Sequence, residues 1–433
     1  MAKSTWTVTG RIMVQENEVS GVLATRPLAG VEVEVSASTL GVYNSWGTVR
    51  TNADGYFTLR EEKDGSKRKV KVKVRFADAD LEVNAGALAS PGDFISPAMV
   101  VFEHSREVEG PSINIGTRTF KPGASGELGE TDHIRRAIAW YACKTIIGAL
   151  KAKDSYFAFA GKVKIIYPAK VVSGIPYANG VTRCAYIQSG WWDIQTVIHE
   201  FMHLWNYDHN HGTANWFGAV FCPPDLNTHG QAERRPIAFH EAFAEHASWE
   251  LLYELWGPHV EPGSTRTKEL PYSRYALRNE LHLDTSDEVE QSDRGVHSAL
   301  RLLTARDLYT LKFGTKDHRT GADPYPDTVD TTGHVCPAGP GLTIWDVLKV
   351  FQANPSKGYT TEWQVGNNDY GVRRFFERAE AVLSKLDDAT KDLLLSLIDP
   401  ASTVQPQSRC TSARPPARPT SAQRAAQPAE AAG

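Results

Sequence analysis

Residues Thr196–Tyr207 read TVIHEFMHLWNY and contain His199-Glu200-Phe201-Met202-His203, an H-E-x-x-H pattern. No Gly or Pro falls between Trp191 and Gly212, so this stretch is predicted to be an α-helix. Positions four apart on a helix lie about 40° apart around the axis and about 6 Å along it. His199 and His203 therefore leave one face, near enough to grip a single ion, with Glu200 beside them. Val197, Ile198, Phe201, Met202, Leu204 and Trp205 cover most of the remaining surface. A helix so apolar is expected to be buried in a sizeable domain.

Zinc chemistry explains these residue types. Neutral imidazole is a good zinc ligand, and a catalytic site uses three protein ligands and keeps one position open for water. Zinc lowers the pKa of that water to about 7, and a neighbouring carboxylate can take its proton. The expectation is a hydrolase with Zn2+ as cofactor, His199 and His203 as ligands and Glu200 as general base. Two unrelated histidines flanking a glutamate are the competing reading, and the apolar setting counts against it.

The chain has 433 residues, which predicts two to three domains. Hydrophobic residues at 41% and charged residues at 23% make a normal soluble globular balance. A net charge of -4 argues for neither nucleic acid nor an anionic membrane as partner. No apolar run approaches the ~18 residues of a membrane span. The start, MAKSTWTVTG, has no apolar signal core, so a cytoplasmic protein or one exported by a leaderless route is expected. Cys143, Cys184, Cys222, Cys336 and Cys410 are odd in number, far apart and without a C-x-x-C pair. That argues against a disulfide framework or a cysteine zinc site.

Upstream, residues 1–120 read as an all-β domain. Thr7–Arg11, Val31–Ala37, Thr48–Thr51, Tyr56–Arg60, Val70–Phe76 and Met99–Phe102 are predicted strands, separated by turn signals at Pro27–Gly30, Asn52–Gly55 and Lys63–Ser66. Val31, Val33 and Val35 alternate with Glu32 and Glu34; Val70, Val72 and Val74 alternate with Lys71 and Lys73. Such alternation means one buried and one wet face, as in a sandwich. The segments TVTGRI, RPLAGVEVEV and GTVRTNADGYFTL resemble the transthyretin-like, or carboxypeptidase-regulatory-like, domain at Gly10, Leu28–Val35 and Thr51–Phe57. The resemblance implies an accessory, tethering or binding module with a possible protein or glycan partner; a spacer without a ligand is an equal alternative.

Residues 121–130, KPGASGELGE, read as a linker. Thr131 and Asp132 are expected to cap a helix running to about Lys151. Val163–Tyr167 and Val181–Gln188 are predicted strands with a loop at Gly174–Gly180 between them. Long helix, strands, then the H-E-x-x-H helix is the order of the zincin metallopeptidase fold. By that resemblance 131–399 form an α+β zincin-like domain, and VTRCAYIQ is the edge strand over the cleft, able to hold a peptide or protein substrate as an added strand.

A third ligand must come from elsewhere. A metzincin would carry a further histidine after a Gly, but Asn206 stands at the Gly position, and His209 and His211 are read as out of register with that pattern and expected to be loop histidines. Arg235–Tyr253 reads as a second helix, and its His240-Glu241-Ala242-Phe243-Ala244-Glu245 resembles the glutamate segment of gluzincins. The resemblance puts Glu241 at the ligand position, although Ala242 replaces the frequent Gly and His240 the frequent Asn. Glu245, His240 and His246 remain alternatives, Glu245 also as a partner to a zinc histidine. Between the helices lies an expected inserted loop, His209–Arg234.

Gln291–Leu311 is predicted to be a helix carrying His297 as a candidate oxyanion-stabilising catalytic residue, with Tyr272, Tyr275 and Tyr309 as weaker contenders. Leu342–Phe351 and Tyr370–Ile398 read as amphipathic helices and Gly314–Gly341 as a long loop. Residues 400–433, rich in Pro, Ala, Ser and Arg, read as a disordered tail. The combined expectation is a multidomain chain: a transthyretin-like sandwich, then a gluzincin-type metalloprotease domain hydrolysing peptide bonds. Two alternatives are a non-catalytic binding or adhesion protein with a structural zincin lobe, and an exported effector whose β-domain serves for docking.

Overall fold

The computed structural model describes residues 4–39, 42–63, 67–86, 99–109, 111–169, 174–209, 235–257, 296–297, 299–300, 303–304, 309–311, 334–336, 342–352, 375–376, 379 and 383. They form a mixed α/β protein with several β-sheets in the N-terminal region and a few helices. The expected loop at 210–234, Tyr272 and Tyr275, most of the helix at 370–398 and the tail at 400–433 lie outside the described residues.

The alternating valines build the first two sheets. β1 (Ser4–Glu16) pairs with β2 (Ala24–Pro27), β5 (Tyr56–Lys63) and, in parallel, β9 (Ser112–Phe120). β4 (Val42–Arg50), β3 (Glu32–Thr39), β6 (Lys67–Arg75) and β8 (Met99–Glu109) form an antiparallel sheet in that order. Val33 and Val35 of β3 face the same core as Val70, Val72 and Val74 of β6, all fully buried. Trp6 of the first sheet meets Trp46 of the second with ring centroids 5.7 Å apart. Asn52 closes the β4–β5 turn by accepting from the Asp54 and Tyr56 amides, and Gly55 takes φ 80° there.

A third sheet crosses the expected domain boundary. Its order is β11 (Tyr177–Asn179), β12 (Cys184–Tyr186), β10 (Val163–Ile166) and β7 (Leu81–Asn84). β7 comes from within the first 120 residues and runs parallel to β10, Leu81 opposite Val163 and Val83 opposite Ile165. Residues 121–130 are not an open tether either. A short 3-10 turn at Gly126–Gly129 buries Leu128, whose carbonyl accepts from the Lys121 amide.

The sheet order moves the edge. The predicted edge strand narrows to β12, which is flanked by β10 and β11. The outer strand is β11, inside the segment expected to be a loop. Three residues between turn signals carry too little pattern to be read as a strand. The β11–β12 turn places Arg183 at φ 56°, a left-handed conformation costly for a non-glycine residue. Its guanidinium is held by Asp208, by the Gly161 carbonyl at 2.9 Å and by the Lys162 carbonyl at 3.2 Å.

α1 (Thr131–Lys153) begins at Thr131, so its N-cap is Glu130, one residue before the expected cap, and it makes no side-chain cap bond. Trp140 of α1 is fully buried and donates to the Ala29 carbonyl at 2.9 Å. α2 (Ile194–His209) carries the H-E-x-x-H residues, and Asp193 caps it by accepting from the Gln195 amide at 2.7 Å. α3 (Arg235–Trp256) extends three residues beyond the predicted helix, and α4 (Ile344–Gln352) covers most of another. Residues 296, 297, 299, 300 and 303 are helical, but Tyr309–Leu311 is a strand, β13, paired with β14 (His334–Cys336). The predicted helix therefore does not reach Leu311, and part of the expected 314–341 loop is strand. No helix among the described residues is long and apolar enough to cross a membrane. Cys143 and Cys184 are free and buried.

One contact fixes β11 against α2. A Cβ built on Gly180 would lie 2.2 Å from the Tyr207 ring. Gly180→Ala should destabilise the fold by about 1–3 kcal/mol, the usual penalty for overpacking, read from urea denaturation. An unchanged midpoint would mean that the ring swings away without loss.

Candidate metal centre

α2 and α3 pack against each other through apolar faces. Trp205 is fully buried, its ring 5.9 Å from Phe243 of α3 and 5.6 Å from Phe351 of α4, and its indole donates to the Phe157 carbonyl at 2.9 Å. With that packing fixed, the polar stripes of α2 and α3 face each other. Nε2 of His199 lies 3.0 Å from Nε2 of His203; Oε2 of Glu241 lies 3.3 Å from the first and 3.2 Å from the second. Among the described residues, these three alone group as possible metal ligands.

The spacing fits an ion. Two ligands about 2.0–2.1 Å from zinc in tetrahedral geometry stand about 3.3 Å apart, close to all three separations seen here. The donor set, two imidazoles and one carboxylate, is the composition of an open hydrolytic zinc site. The structure thus brings His199, His203 and Glu241 together, as a group that could hold a metal ion.

The alternatives take other places. Glu245, one turn beyond Glu241, turns Oε2 toward Nδ1 of His199 at 3.1 Å. It is a partner of the histidine, and that contact leaves Nε2 aimed at His203 and Glu241. His240 faces Asn206, whose Nδ2 lies 2.6 Å from its Nδ1, and burial pushes its pKa down to about 4, so the ring is a neutral acceptor. His246 is fully buried and packs against His297 at 6.1 Å.

His209, expected in a loop, is the last residue of α2. By count from His203 it does fall at the third-histidine position of the metzincin pattern. The chain would have to turn back at residue 206 to use it, and Asn206 instead continues the helix. The His209 ring stacks on Trp205 at 3.9 Å, its nitrogens 2.8 and 2.7 Å from the Trp205 and Tyr156 carbonyls. It is committed away from the triad.

Charge follows geometry. For Glu241, burial pushes the pKa up, but His203 and His199 outweigh it and hold the carboxyl well below its usual range. For His199, burial lowers the pKa, but Glu241 and Glu245 raise it well above the usual value. A divalent cation bound here would displace that imidazole proton, so metal uptake is expected to release a proton. Glu200 is buried, and burial raises its pKa against the opposing pull of His199 and His203. Glu245 is down to about 2: burial opposes this, and His199, His297 and Trp249 bring it about.

His297 is buried, its ring against His246, and its charge is felt by Glu245. The side chain of Tyr309 lies outside the described residues. Sequence reading did not single out Gln195, Ser248 or Trp249, which surround Glu245. Nothing local marks them; only the helix pairing brings Gln195 within reach of a residue 50 positions away.

No family model matches this chain, and no curated protein matches it. Solved structures that it resembles include a 9R-lipoxygenase from Cyanothece PCC8801, at 16% identity over 34% of this chain and 23% of that one, with a TM-score of 0.19. Another is an (S)-allantoin synthase, at 12% identity over 27% of this chain and 41% of that one, with a TM-score of 0.17. The chain spans less than half of either, and likeness at this level carries no argument about fold or chemistry.

Proposed function

We propose that this chain is a gluzincin-type zinc peptidase: a transthyretin-like β-module followed by a zincin-like domain in which His199, His203 and Glu241 hold Zn2+. The observation that carries the reading is the meeting of three donor atoms at 3.0–3.3 Å, with Glu200 on the same helix. Zinc, when bound, supplies a Lewis acid that polarises a carbonyl and lowers the pKa of water to about 7. Glu200 takes a proton from the attacking water and gives it to the leaving amine. Its burial raises its pKa above the usual carboxylate value, which makes the carboxylate a better proton acceptor. Glu245 keeps His199 in the orientation that presents Nε2.

The substrate is an extended peptide or protein segment. It lies along β11, whose outer side has no partner strand among the described residues and whose first residue, Tyr177, is exposed, as is Val181 in the turn that follows. The buried position of His297 favours electrostatic support of Glu245 over contact with substrate.

Glu241→Ala tests the centre. Removing a direct ligand should lower zinc affinity by at least about 100-fold, the upper end for loss of an outer partner, measured by competition with a chromophoric chelator. Unchanged affinity would remove Glu241 from the site. A peptide-library cleavage screen with metal analysis separates the peptidase from a binding protein with a structural lobe.

A further inference from the structure

The carboxylate behind His199 is itself held on both oxygens. Nε2 of Gln195, in the first turn of α2, donates one hydrogen to Oε2 of Glu245 at 2.6 Å and the other to the Ser248 hydroxyl at 3.0 Å. That hydroxyl donates to the Glu245 carbonyl at 2.7 Å. The Trp249 indole donates to Oε1 of Glu245 at 2.6 Å. One oxygen thus serves Gln195 and His199, and the other serves Trp249. An unclamped carboxylate on a partly exposed side chain, one turn from Glu241, could swing to solvent or become a rival ligand.

We propose that Gln195 and Trp249 are positioning residues that lock the Glu245 carboxylate onto the Nδ1–H of His199, so that Nε2 of His199 faces His203 and Glu241. The proposal rests on the metal-centre reading for its purpose, though not for its geometry. It goes beyond the ligand set by making the site preorganised from both helices: α2 supplies the amide, α3 the indole and the carboxylate. Losing an outer hydrogen bond to a ligand typically lowers metal affinity by about 10–100-fold. The clamp acts one bond further out, so the lower end is expected.

Trp249→Phe and Gln195→Leu, which keep most of the side-chain volume, should each lower zinc affinity by about 10-fold in a chelator competition. In a Glu245→Ala background the same two substitutions should change affinity by less than about 2-fold, because residues acting through one partner do not add. Proton NMR of the metal-free protein gives a second readout. The His199 Nδ1–H should be a downfield, slowly exchanging signal in the parent chain and should broaden or vanish in both variants. Full effects retained in the Glu245→Ala background, or an unaltered Nδ1–H signal, would overturn the clamp. If Glu241→Ala left zinc affinity unchanged, Glu241 would leave the ligand set, and the Nδ1–H signal would still decide the clamp.

Discussion

Glu200→Gln should lower kcat by about 10²–10⁴-fold, the usual contribution of a positioned general base, while zinc content and affinity stay at the parent level. Glu200 lies next to His199 in the chain and is one of the few buried acidic residues in the described structure. Burial raises its pKa, so its conjugate acid is weaker and its carboxylate more basic than an exposed one. Glutamine matches it in size, so α2 and its packing on α3 should be unaffected. What disappears is the proton acceptor. Steady-state cleavage of a peptide found in the library screen, run beside metal analysis, separates the two effects. A variant that kept zinc and cleaved at the parent rate would show that another group takes the proton. One that lost zinc as well would move Glu200 from the chemistry to the ligand sphere.

The parts legible in the sequence were those carried by short-range periodicity. His199 and His203 are four apart on a helix uninterrupted by Gly or Pro, and the alternating valines of β3 and β6 mark strands with one wet face. What could not be read depends on distant partners. β7, Leu81–Asn84, alternates apolar and polar residues over only four positions, too short a run to stand out as a strand, and nothing local points to its partner β10, which begins at Val163. β11 is three residues long, and it takes the edge that the sequence gives no means of assigning. The choice between Glu241 and Glu245 is ambiguous by construction, because residues four apart share a helix face. Only the angle between α2 and α3 decides which carboxylate meets Nε2 and which meets Nδ1 of His199.

Deleting residues 1–120 should abolish folding of the remainder, leaving a fragment that is insoluble or melts without cooperativity. Composition alone favours the opposite outcome, since a separable β-module before a Gly/Pro-rich stretch invites cutting there. The contacts argue otherwise. β7 is the parallel partner of β10, and without it the backbone groups of Val163–Ile166 lose one side of their ladder. Trp140 loses the Phe76 ring 6.3 Å away and the Ala29 carbonyl. Lys144 loses Asp78 at 2.5 Å and Asp80 at 3.2 Å, and Lys151 loses Asp80 at 2.7 Å. Trp192, two residues before α2, loses Glu18 at 2.7 Å. The buried apolar side chains of the first 120 residues, Met13 apart, and those of α1–α3 belong to one contiguous cluster. Each large apolar side chain exposed by the cut costs about 1.5–3 kcal/mol, and a handful matches the 5–15 kcal/mol by which a typical domain is stable. The test compares the full chain with a fragment starting at residue 121, by thermal unfolding in far-UV circular dichroism and by zinc uptake. A monomeric fragment that melts cooperatively near the parent temperature and takes up zinc would make the β-region a separate module after all.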